Sequence, residues 1–127
     1  MKRLLVIISI LSLALVTACT TEASTRVDTL ANVSEDGFQD ISLTYGKFGY
    51  SFNYVLSPNT VKVGIPVRIT GDASKLNGCF RAVTVPQYHV GKIMSSQDST
   101  LEFTPTETGD VVISCTMGMA TTTLKVI

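Results

Sequence analysis

The chain has 127 residues, enough for one domain, and is 45% hydrophobic but only 16% charged. Ten Lys and Arg balance ten Asp and Glu, so it lacks the basic stripe of a nucleic-acid binder. His89 is the only histidine, which leaves nucleophilic catalysis of the Cys–His kind nothing to rest on.

Lys2 and Arg3 precede an apolar stretch from Leu4 to Val16. That stretch is shorter than the roughly 20 residues a spanning helix needs, and it reads as the h-region of a signal peptide covering 1–18. It ends in Leu15-Val16-Thr17-Ala18-Cys19, which resembles the lipobox of bacterial lipoproteins. The resemblance implies cleavage before Cys19 and a lipid on its sulfur, with the domain outside the cell membrane. An ordinary signal peptide or an uncleaved anchor are the alternatives. Loss of Lys2 and Arg3 leaves a net charge of about −2.

Residues 19–40 read as the lipidated cysteine and a flexible, acidic linker, carrying Glu22, Asp28, Glu35, Asp36 and Asp40 against Arg26. Such a tether reaches roughly 25 Å as a random coil. Val27, Leu30 and Val33 are spaced about like one face of a short helix. From Ile41 to the end, 41–127, the pattern is β. Phe48, Tyr50, Phe52, Tyr54 and Leu56 alternate with smaller and polar residues, as in a half-buried strand. Ser57-Pro58-Asn59 is a turn. Short strands follow at Thr60–Val63 and at Val67–Thr70, the latter opened by Pro66.

Gly71 to Gly78 forms a polar loop that delivers Cys79, after which Phe80 to Val85 alternates again. Tyr88–Met94, Thr100–Thr104, Val111–Cys115 and Thr121–Ile127 complete the set. Seven or eight short strands separated by turn residues predict an all-β sandwich.

The segment Ser114-Cys115-Thr116-Met117-Gly118-Met119 places one thiol and two thioethers within five residues, and Cys79 adds a second thiol. Soft thiolate and thioether sulfur selects Cu(I) among common biological metals. In an extended strand, residues two apart lie about 6.6 Å from each other, so Cys115, Met117 and Met119 reach one ion only if the chain curls. Gly118 has the backbone freedom for that. The sulfurs otherwise serve two ions bridged by Cys79 and Cys115. The competing reading is a Cys79–Cys115 disulfide, which an exported domain permits.

Pro58-Asn59-Thr60, Gly64-Ile65-Pro66-Val67, Gly78-Cys79, Leu101 to Pro105, Gly109 and the C-x-M-x-M run from Cys115 to Met119 together resemble the cupredoxin superfamily. Within it they are most similar to the CupA-type branch of membrane-anchored Cu(I)-binding chaperones. The resemblance implies a Greek-key β-sandwich, a Cu(I) site of one or two ions on Cys79, Cys115, Met117 and Met119, and a role in copper resistance. It also implies a copper-exporting P-type ATPase as partner. The chain departs from the blue-copper electron carriers, whose copper is held by two histidines, a cysteine and a weak axial methionine: Cys79 stands where the first histidine would be, and no histidine follows Cys115. A non-enzymatic carrier of Cu(I), with no nucleic acid or small-molecule substrate, is the expectation. The alternative is a structural or binding lipoprotein closed by the disulfide.

Overall fold

The computed structural model describes residues 28–127. The signal segment, Cys19 and the first part of the linker lie outside the described residues. Nine strands are present among the described residues: β1 (Gln39–Phe48), β2 (Ser51–Ser57), β3 (Thr60–Val61), β4 (Val67–Gly71), β5 (Ala82–Val85), β6 (Val90–Ile93), β7 (Thr100–Phe103), β8 (Gly109–Cys115) and β9 (Thr121–Val126). They form two mixed sheets, one in the order β2-β1-β4-β7 and the other β3-β9-β8-β5-β6. The fold is all-β. No described helix is long and apolar enough to cross a membrane.

Alternation explains the packing. In β8, Val111, Ile113 and Cys115 point inward while Asp110, Val112 and Ser114 face out. In β1, Gln39, Ile41 and Leu43 are buried. The two inner faces share one core with Tyr54, Leu56, Val83, Val85 and Leu124. Each fully buried aliphatic side chain contributes about 1.5–3 kcal/mol.

Three local readings differ from the sequence pattern. The alternation from Phe48 to Leu56 is not one strand but spans a hairpin, in which Phe48 pairs with Ser51 across Gly49 and Tyr50. Gly49 has φ +62°, and glycine at the first of two central positions suits the II′ turn that closes such hairpins. The domain boundary read at residue 41 falls inside β1, because Gln39 and Asp40 already pair with Val67 and Arg68. No helix forms around Leu30 and Val33, which instead bridge Thr60 and Gln39. The neighbouring Ala31 is buried, and its N–H reaches the Thr60 carbonyl at 2.8 Å.

Candidate metal centre

The antiparallel pairing of β5 with β8 sets Val83 opposite Cys115 and Thr84 opposite Ser114. Continued past the strand ends, this register carries residue 79, four before Val83, towards residue 119, four after Cys115. The Thr116 N–H still reaches the Ala82 carbonyl at 3.0 Å. The contact that results is between sulfurs: Cys79 Sγ lies 3.6 Å from Met119 Sδ.

Beyond Cys115 the chain curls as the position of Gly118 suggests. Gly118 has φ +69° and its N–H binds the Cys115 carbonyl at 2.9 Å, while the Cys115 N–H binds the Ala120 carbonyl at 3.0 Å. This tight turn folds over the Cys115 sulfur, which accepts the Met119 N–H at 3.1 Å. Burial pushes the Cys115 thiol up, but backbone N–H groups of Ala120, Met119, Met117 and Gly118 outweigh it and hold the thiol below its ordinary pKa. The turn is therefore built to favour a thiolate, the form that ligates metal.

Cys79 sits on a single 3-10 turn, Gly78–Arg81, entered through Gly78 at φ +54°. The turn replaces the strand start expected there, and β5 begins only at Ala82. Cys79 and Cys115 are free thiols, the first half-buried and the second 2% exposed. Met117 and Met119 are 70% and 63% exposed. The four sulfur residues thus grade from a buried thiol to thioethers in solvent. Cys79, Cys115 and Met119 come together, while Met117 shares the turn and projects outward.

Beneath the thiols lies Tyr54, 3% exposed, whose hydroxyl donates to the Phe80 carbonyl at 2.7 Å. Burial raises its phenol pKa, and negative charge on Cys115 and Cys79 raises it further. Tyr45 stacks on Phe80 with centroids 5.1 Å apart, and Phe52 lies 6.3 Å from it. Tyr54 is buried and Tyr45 half-buried, whereas Tyr50 stands in solvent at the hairpin tip. Sequence spacing could not find the Tyr54–Phe80 bond, since it joins residues 26 apart, one on β2 and the other on the 3-10 turn before β5.

Among the described residues, no three of His, Cys, Asp and Glu gather into a metal-holding group. His89 is exposed, at φ 53°, beyond the far end of β5. Met94 is fully buried in the core. The donor set at the site-bearing end is thiol and thioether, a match for a soft monovalent ion.

No protein-family model matches the chain, and no curated relative matches it. Two solved structures of similar fold bind copper. The metal binding domain of the Streptococcus pneumoniae D39 Cu(I) exporting P-type ATPase CopA, crystallised with Cu(I), is 23% identical over 79% of this chain and 97% of its own, with a TM-score of 0.58. A copper binding protein solved by NMR in the apo form is 22% identical over 78% of this chain and 96% of its own, with a TM-score of 0.59. These similarities establish a shared fold.

Proposed function

We propose that this chain is a Cu(I) carrier of the cupredoxin superfamily, similar to the CupA-type chaperones, which sequesters or transfers copper as cargo and catalyses no reaction. The observation that carries the reading is the convergence of Cys79, Cys115 and Met119, with Met119 touching the Cys79 sulfur through its thioether and the Cys115 sulfur through its N–H. The similar fold of two copper-binding domains supports it.

The chemistry follows from the gradient of exposure. Met117 and Met119 meet an arriving ion first, because they are in solvent and neutral. Cys115 and Cys79 then supply thiolate affinity, and each proton released passes to water. Weak thioether bonds let a partner's ligand compete for the ion without first displacing a thiolate. One or two ions fit this donor set, with the thiolates bridging in the second case.

In this reading residues 1–18 are a signal peptide and Cys19 bears the lipid, while the linker is shorter than 19–40, because the copper domain already includes the bridges at Leu30 and Val33 and β1 from Gln39. The chain enters the described fold beside Asn59, where the Thr29 carbonyl accepts the Thr60 N–H at 3.1 Å. That end lies past the C-terminus of β2, whereas the aromatic residues beside Cys79 lie near its start. The partner is a copper-exporting P-type ATPase, and the biological role is copper resistance. From the outer face the domain takes copper after export; delivery to a pump's internal domain would require an uncleaved anchor in an unusual orientation.

Anaerobic titration with Cu(I) against a chromophoric chelator, beside a thiol count with and without reductant, tests the proposal. The expected result is two titratable thiols in the described domain and tight Cu(I) binding. Outer-shell changes at metal sites cost about 10–100-fold in affinity, so Cys115→Ser, which removes a ligand, should lose more than about 100-fold. A native Cys79–Cys115 disulfide, or a Cys115→Ser protein that keeps wild-type affinity, would overturn the reading in favour of a metal-free binding or structural lipoprotein.

A further inference from the structure

The two thiols are held by different means. Cys115 ends a strand paired on both sides, with its N–H bonded to Ala120 and its neighbour Thr116 bonded to Ala82. Cys79 rides a four-residue 3-10 turn that has no side-chain N-cap. The turn's other bonds stay within its own loop and its own sheet, from Phe80 N–H to Asn77 O at 3.1 Å, from Arg81 Nε and Nη2 to the Leu76 and Ala73 carbonyls at 2.7 and 3.4 Å, and from Met94 N–H, just past β6, to Arg81 O at 2.8 Å. They shape the turn without fixing where it sits over the facing sheet.

That placement comes from β2 and β1. Tyr54 Oη donates to the Phe80 carbonyl at 2.7 Å, and its ring meets Phe80 edge-on with centroids 6.4 Å apart. Tyr45, paired with Tyr54 in the β1–β2 register, stacks on Phe80 with centroids 5.1 Å apart. The remaining polar tie, Asn77 Nδ2 to Tyr45 Oη, is long at 3.5 Å.

We infer that Tyr54 is a positioning residue for Cys79, fixing through the Phe80 carbonyl the distance between that thiol and the Cys115–Met119 turn. The inference rests on the Cu(I) reading of the site and adds a determinant outside the four sulfur residues. Tyr54→Phe keeps the ring and removes only the hydroxyl. Outer-shell bonds that orient a ligand carry about 10–100-fold in metal affinity, so the variant should bind Cu(I) at least about tenfold more weakly.

The test is a double-mutant cycle with a second, metal-free readout. Cu(I) affinity is measured by chelator competition for wild type, Tyr54→Phe, Cys79→Ser and the double variant. Alkylation of Cys79 by iodoacetamide is followed by mass spectrometry on metal-free protein. The expected result is weaker Cu(I) binding in Tyr54→Phe, no further loss when Cys79→Ser is already present, and faster alkylation at Cys79 with Cys115 unchanged. Wild-type affinity in Tyr54→Phe, or a loss that persists in the Cys79→Ser background, would overturn it. Should Tyr54→Phe lack a cooperative thermal transition, Phe80→Leu decides instead, since it removes the ring but keeps the carbonyl that accepts from Tyr54. Near-wild-type Cu(I) affinity and Cys79 alkylation then support placement through the hydrogen bond, and a loss of about tenfold in affinity or faster Cys79 alkylation overturns it. If the wild type takes up no Cu(I), the carrier reading fails, while the Cys79 alkylation rate still decides whether Tyr54 positions the thiol.

Discussion

The thioether sulfur of Met119 lies 3.6 Å from the thiol sulfur of Cys79, although 40 positions separate them. The β5–β8 register brings them together, and the turn at Gly118 lifts Met119 back over the Cys115 sulfur. Among the described residues, Met119 is thus the one sulfur residue for which contacts to both thiols are seen, one by side chain and one by main chain.

Its two contacts can be separated by substitution. Met119→Leu retains the N–H that binds Cys115 and removes only the thioether. The side chain is 63% exposed, so stability should change by less than about 0.5 kcal/mol. Copper stoichiometry or the rate of transfer to a competing chelator should change, as read by stopped-flow absorbance. Unaltered stoichiometry and exchange would remove Met119 from the site.

Gln39 is fully buried and serves three backbone groups. Its Nε2 donates to the carbonyls of Lys62 and Ile65 at 3.0 and 3.1 Å, and its Oε1 accepts the Lys62 N–H at 2.6 Å. Gln39→Leu fills similar space but leaves these groups without their partner, which costs about 1–3 kcal/mol. Urea denaturation should show the loss. Cu(I) affinity should stay at the wild-type value, because Gln39 starts β1 at the end away from the sulfur cluster.

Acid should weaken the fold through Arg68. This guanidinium binds Asp36, lies 3.5 Å from Asp40 and 3.3 Å from Glu102, and covers the Phe38 ring at 4.1 Å. The side-chain hydrogen bond from Arg68 holds the Asp36 carboxyl below its usual pKa. A carboxyl lowered in the folded state stabilises above its unfolded pKa, about 3.9, and loses that contribution as pH falls through the folded value. Melting temperatures measured from about pH 6 to about pH 2 should therefore drop below about pH 4. Arg68→Gln should flatten the drop. A residual slope should persist, since hydrogen bonds from Ser74 and Lys92 lower Asp72 and Asp98 in the same direction.

The amino-acid sequence by itself determined the all-β class, most strand positions and the sulfur-rich turn. Period-two burial, as at Val111, Ile113 and Cys115, follows from local side-chain chemistry, and so does the reversal at Gly118. The chain pattern was misleading at Phe48–Leu56, where alternation runs unbroken through a two-residue turn, and at Gln39, a polar side chain whose three partners lie more than twenty positions away. Only the tertiary structure decided that Cys79 meets Met119, that both thiols are free, and that Tyr54 lies beneath them. Those relations depend on strand register and on how two sheets face each other, and neither quantity is encoded in the spacing of residues along one segment.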